Sequence, residues 1–107
     1  MPVTRLLIAN RNEIAVRIAR GAAEAGIETV AVFSEDDAGA PHAGHADAAR
    51  ALRGSGPAAY LDAAQLIEVA RAAGCDAVHP GYGFLAEQAG FAQACADAGL
   101  IFVGPRP

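Results

Sequence analysis

The sequence predicts an α/β domain with a mainly parallel sheet covered by helices on both faces, and three observations carry that expectation. Short apolar runs alternate along the chain with segments of helical spacing, the pattern of βαβ crossovers. The run Thr29-Val30-Ala31-Val32-Phe33 is apolar without a break, as expected of a strand buried on both sides. Polar and glycine-bearing stretches follow the strand-like runs, where open α/β sheets keep their ligands.

Each element follows from its own pattern. Arg5 to Ala9 reads as a short strand. From Asn12 to Ala25 the residues Ile14, Ile18, Ala22 and Ala25 share one helical face. Asn10 with Glu13 three residues on predicts an Asn-started capping box, and Gly26 supplies the stop. Gly21, inside that helix, costs on the order of 1 kcal/mol against alanine. After the strand 29–33, Ser34 to His45 is a polar loop, Ala48 to Leu52 a short edge strand and Gly54-Ser55-Gly56-Pro57 a turn. Asp62 to Ala73 is helical, with Leu66, Val69, Ala70 and Ala73 inward, and Gly74 ends it. Ala77 to His79 is a strand, Ala86 to Ala98 a helix with Phe91, Cys95 and Ala98 inward, and Leu100 to Val103 the last strand. The sum is a Rossmann-like three-layer unit forming one domain over residues 1–107.

Composition narrows the function. The chain has 107 residues, 53% of them hydrophobic and 19% charged, which suits a packed core and not a disordered tail. All eight basic residues are arginine, so lysine is absent. A net charge of −4 without a basic stripe argues against nucleic acid and anionic membrane as partners. The apolar run Leu6-Leu7-Ile8-Ala9 is too short for an export signal, and no stretch reaches transmembrane length. Cys75 and Cys95 have no partner motif and read as small hydrophobes in a reducing compartment, so the cytoplasm is the expected location.

Several site chemistries fail on their context. Gly81-x-Gly83-x-x-Ala86 matches a dinucleotide fingerprint, but the strand that follows ends in Phe102-Val103-Gly104, with no acidic residue for a ribose. A Walker-type loop is excluded by the missing lysine. His42, His45 and Asp47, with Asp36 and Asp37 nearby, read as a solvated loop and not as a metal site. No serine stands in a nucleophile elbow, and no catalytic residue is assigned. His79 reads either as a hydrogen-bonded structural histidine or as a site residue. Tyr82, flanked by Gly81 and Gly83 at a strand-to-helix junction, reads as a ligand contact.

These residues also carry a resemblance. Ile8-Ala9-Asn10-Arg11-Asn12-Glu13-Ile14-Ala15 resembles the opening I-A-N-R-G-E-I-A of biotin carboxylases, and His79-Pro80-Gly81-Tyr82-Gly83-Phe84-Leu85 is identical to a hallmark loop of that family. Ser34, Asp37, His42, Ala46-Asp47, Ala49 and Tyr60-Leu61 fall at family-like spacings. Ile101-Phe102-Val103-Gly104-Pro105 resembles the strand closing the family's N-terminal, pre-ATP-grasp domain. There are departures. Asn12 stands in place of a glycine and must tolerate a left-handed turn. Ala48 stands in place of glutamate, and Ala86 and Gln88 in place of serine and asparagine.

The resemblance implies a ligase, the biotin carboxylase of an acyl-CoA or acetyl-CoA carboxylase alpha-type subunit or a relative. Such enzymes use ATP and Mg2+ to activate bicarbonate and carboxylate biotin on a carrier protein. It further implies that Tyr82 and Gly83 line the biotin and bicarbonate side and that His79, Gly81 and Glu87 support that loop; Arg20 and Glu24, an i,i+4 pair, read either as a solvated helix face or, by the resemblance, as contacts to a dimer partner. The partners implied are the ATP-grasp and C-terminal parts of the enzyme, the biotin carboxyl carrier protein and a second subunit. The chain alone is then expected to be inactive and to hold no cofactor tightly. Two other readings stand beside this one: an interaction module of the same fold without catalysis, and a dinucleotide-binding domain.

Overall fold

The computed structural model describes residues 3–37, 44–81 and 89–103. Five strands form one sheet: β1 (Arg5–Ile8), β2 (Glu28–Phe33), β3 (Ala48–Ala51), β4 (Ala77–His79) and β5 (Ile101–Phe102). Every pairing is parallel and the order is β3-β2-β1-β4-β5. The helices whose bounds are described are α1 (Asn12–Glu24), α2 (Ala63–Ala72) and α3 (Ala89–Asp97), with 3-10 turns at Glu35–Asp37 and Pro57–Leu61. A parallel neighbour can be reached only by a crossover, which is why each helix lies against the sheet.

Side chains alternate across a strand, so each face of the sheet takes its own helices. Leu7, Val30, Val32 and Val78 point to one side and pack with Leu66 and Ala70 of α2 and Phe91 and Cys95 of α3. Leu6, Ile8 and Ala77 point to the other, where α1 supplies Ala15, Ala19 and Ala22. The alanines let α1 approach closely. Its inward stripe is therefore narrower than expected, with Ile14 and Ile18 half-buried beside it and Ala25 exposed.

α1, α2 and α3 end in the same way. Gly26 has φ +76, and the N–H of Ile27 returns to the carbonyl of Ala22 at 2.9 Å while Gly26 N–H reaches Ala23. This satisfies carbonyls the helix leaves open and aims the chain into β2. Gly74 and Gly99 repeat the arrangement, with Cys75 bonding Ala70 and Leu100 bonding Cys95.

The expected capping box does not form. Arg11 flanks α1 in an extended conformation and its own side chain makes no capping bond; the Asn10 amide bonds Pro80 and Arg11, and Glu13 pairs with Arg17 at 3.0 Å. Asn12, the first residue of α1, has φ +57, the left-handed conformation its replacement of glycine demands. β3 is an edge strand, exposed except at Ala48. The last helix is described from Ala89, and Ala86 to Gln88 lie outside the described residues.

Candidate functional site

The carboxyl ends of β1, β2 and β4 bring together Asn10-Arg11, Ser34 and His79-Pro80-Gly81. Backbone pairing of β1 with β4 ends where Ala9 N–H donates to His79 C=O at 3.0 Å. Pro80 has no N–H to continue the ladder. The side chain of Asn10 takes over: its Nδ2 donates to Pro80 C=O at 2.7 Å, and its Oδ1 accepts from Arg11 N–H at 2.8 Å. Asn10 is only 1% exposed, so an unpaired amide there would carry a desolvation cost of roughly 1–3 kcal/mol.

Gly81 makes the turn that follows. Its φ is +68, and a Cβ at this position would lie 2.6 Å from Ile14 Cγ2 and 2.9 Å from Asn10 Nδ2. Both the backbone conformation and the closeness of α1 require glycine. The Gly81 N–H donates to His79 Nδ1 at 3.1 Å, which fixes the imidazole as a neutral acceptor at that nitrogen. Burial acts in the same direction, pushing the His79 pKa below its ordinary 6.5.

At the end of β2 the buried Ser34 donates its hydroxyl to Asp36 at 2.6 Å and its backbone N–H to the Tyr60 hydroxyl at 3.1 Å. Asp36 also accepts from Gly56 N–H at 2.9 Å. Those two bonds, that of Gly56 first, hold its carboxyl below the usual range, with Arg11 adding to the effect. The Arg11 guanidinium lies 5.5 Å from the Tyr60 ring centre, a cation–π distance that joins the β1 and β2 ends.

Sequence reasoning missed Asn10 as the link between strands, along with Tyr60, which is fully buried, and the Ser34–Asp36 pair. A polar residue directly after an apolar strand was the available signal for Asn10 and Ser34. Nothing in the local pattern marks Tyr60. Of the expected site residues, Gly81 and His79 come together in one turn, whereas Tyr82, Gly83 and Glu87 lie outside the described residues. Arg20 and Glu24 are exposed on the outer face of α1, away from that turn.

Other chemistry finds little support. Among the described residues no three His, Cys, Asp or Glu side chains cluster as a metal site would need. His42 lies outside the described residues, and His45 is exposed. Asp47 accepts from Thr29 N–H at 2.8 Å and so pegs the entry of β3 to β2. Cys75 and Cys95 are buried free thiols, and burial pushes Cys95 up to about 11, far from a reactive thiolate. No described helix is long and apolar enough to cross a membrane. Beneath α1 lies an apolar groove of about 480 Å³, lined among others by Leu6, Ile18, Ala22, His79 and Val103.

Comparison with known proteins gives consistent matches. The family described as "Biotin carboxylase, N-terminal domain" matches residues 2–107. The chain is 54% identical over 108 residues to mitochondrial pyruvate carboxylase of Rattus norvegicus, covering 99% of this chain and 9% of that protein. It is 52% identical to biotin carboxylase 1 of Bacillus subtilis, covering 96% of this chain and 23% of the relative. A solved biotin carboxylase domain of a single-chain bacterial carboxylase superposes with a TM-score of 0.94 at 58% identity, over 97% of this chain and 24% of that one. The biotin carboxylase domain of a thermophilic 2-oxoglutarate carboxylase bound to bicarbonate also gives 0.94, at 40% identity over 99% of this chain and 24% of that one. The chain thus spans between about a tenth and a quarter of these four proteins.

Proposed function

Since the chain belongs to the biotin carboxylase N-terminal domain family, we propose that it forms one wall of the site where a biotin-dependent carboxylase uses ATP to carboxylate biotin with bicarbonate. The observation that carries this is the turn at Gly81. It sits at the carboxyl edge of the sheet, is held on one side by Asn10 and on the other by His79, and delivers the chain to Tyr82. Tyr82 and Gly83 face biotin and bicarbonate in this reading, with Glu87 supporting them.

The residues present do not fit ATP or Mg2+ by themselves. The sequence has no lysine to reach phosphate oxygens, and no described cluster of carboxylates could hold a cation. Nucleotide, metal and the chemical steps therefore belong to the ATP-grasp part of the complete enzyme, and biotin arrives on its carrier protein. This wall orients and encloses; it holds no catalytic residue and is inactive alone. Relatives named for pyruvate, acyl-CoA and methylcrotonoyl-CoA carboxylation share this domain at 47–54% identity, so acceptor choice lies elsewhere. The buried free thiols suit a reducing compartment such as the cytoplasm.

The test is Tyr82→Ala in the complete carboxylase. Its KM for biotin is expected to rise while its KM for ATP stays near the parent's. Equal effects on both, or loss of the folded state by circular dichroism, would return Tyr82 to a structural role.

A further inference from the structure

We propose that Asn10 is a positioning residue for biotin carboxylation, setting the turn that carries Tyr82 against the Arg11 backbone. The proposal rests on the reading of Tyr82 as a biotin contact and adds to it the group that fixes where that contact begins. Asn10 is buried, yet an apolar side chain would serve a strand end as well if packing were its only task. Its two polar ends instead go to two different segments. Nδ2 holds Pro80 C=O at 2.7 Å, at the point where proline has ended the backbone ladder, and Oδ1 holds Arg11 N–H at 2.8 Å. The same Nδ2 is one of the two atoms that a Cβ on Gly81 would strike, so it also bounds the turn sterically. The Pro80–Gly81 turn is thus fixed in position as well as in conformation. Displacement of a reacting group by about 1 Å is enough to cost up to ~100-fold in rate, so a clamp of this kind acts on catalysis without touching substrate.

The experiment uses the complete carboxylase with free biotin, bicarbonate and ATP. Asn10→Ala is expected to raise the biotin KM by about five-fold or more with the ATP KM within about two-fold of the parent. Asn10→Asp separates the two arms. Its carboxylate still accepts from Arg11 N–H but cannot donate to Pro80, whereas its protonated form can. Ionised at the working pH, Asn10→Asp has lost the Pro80 arm alone, so its biotin KM is expected to be raised like that of Asn10→Ala while its ATP KM stays near the parent's. A biotin KM for Asn10→Ala that matches the parent's, while Tyr82→Ala raises it, overturns the role of Asn10 and leaves that of Tyr82 standing. The reverse result, a raised biotin KM for Asn10→Ala but not for Tyr82→Ala, overturns the reading of Tyr82 and with it the proposal that rests on it. If Asn10→Ala does not fold, the decision passes to Asn10→Asp, and a biotin KM that matches the parent's overturns the proposal.

Discussion

Thr4 and Asp76, 72 residues apart in the chain, are joined at the amino-terminal edge of the sheet: the Thr4 hydroxyl and backbone N–H donate to the Asp76 carboxylate at 2.6 and 3.0 Å. Arg5 N–H adds a bond at 3.1 Å. Asp47 treats Thr29 in the same manner, so the aspartates before β4 and β3 each peg the neighbouring strand at its start. These bonds fix register on the edge opposite the candidate site. Asp76→Ala is expected to cost the 107-residue chain about 1–2 kcal/mol by urea denaturation, an amount limited by solvent exposure.

The same carboxyl gives an acid-side expectation. Burial works against its ionisation, but the Thr4 and Arg5 bonds outweigh that and hold its pKa below the ordinary 3.8. The native state then binds fewer protons than the unfolded chain in the interval below 3.8. The contribution of Asp76 is whole above that value and is lost as pH falls through the folded pKa. Denaturation midpoints of the parent and Asp76→Asn should therefore converge towards pH 3 and separate by pH 6. Curves that stay parallel would assign the stability to contacts other than the ionised carboxylate.

His79 adds a second slope at higher pH. Its pKa is lowered by burial, and its Nδ1 must be unprotonated to accept from Gly81 N–H. The stabilisation is complete above the ordinary 6.5 and is lost as pH falls through the lower folded value. In His79→Asn the amide oxygen replaces Nδ1 as acceptor and does not titrate. That variant should lack the loss of stability that the parent shows in passing below pH 6.5, as chemical denaturation at several pH values would reveal.

Two glycines should respond oppositely to alanine. At Gly81 the φ of +68 and the contact with Ile14 Cγ2 predict a loss on the order of 1–3 kcal/mol for Gly81→Ala, together with a raised biotin KM in the complete enzyme. Gly21 is exposed in α1, and a methyl group added there would meet nothing within 4 Å, so Gly21→Ala should stabilise the chain by about 0.5–1 kcal/mol. Thermal melts of the two variants beside the parent check both signs.

Arg20 and Glu24 lie exposed on the outer face of α1, one turn beyond the Glu13–Arg17 ion pair. In a two-fold contact Arg20 of one subunit would meet Glu24 of the other, because such an interface is self-complementary. The complete subunit is expected to be a dimer and the 107-residue chain a monomer or weak dimer. Arg20→Glu or Glu24→Arg should weaken the full-length dimer in sedimentation, and the double substitution should restore it. A full-length dimer indifferent to all three would place the interface elsewhere.

Sequence alone determined the elements and their order, because burial on a strand or helix leaves a local period. Thr29 to Phe33 announced a central strand by unbroken apolarity, Ala77 to His79 was delimited to the residue, and Gly26 and Gly74 marked helix ends that the backbone then closed. The motifs around Asn10 and Gly81 likewise pointed to the family without the fold. Tertiary structure decided the partners. Asn10, expected as a helix cap, lies at a strand end where β4 and not the first turn of α1 comes within reach, so its amide went to Pro80. Tyr60 could be read only as a family-like position until the fold set its hydroxyl on Ser34 and its ring beneath Arg11. Period and propensity report how a segment meets solvent, whereas the choice of a partner seventy residues away depends on strand order and register, which exist only once the sheet has assembled.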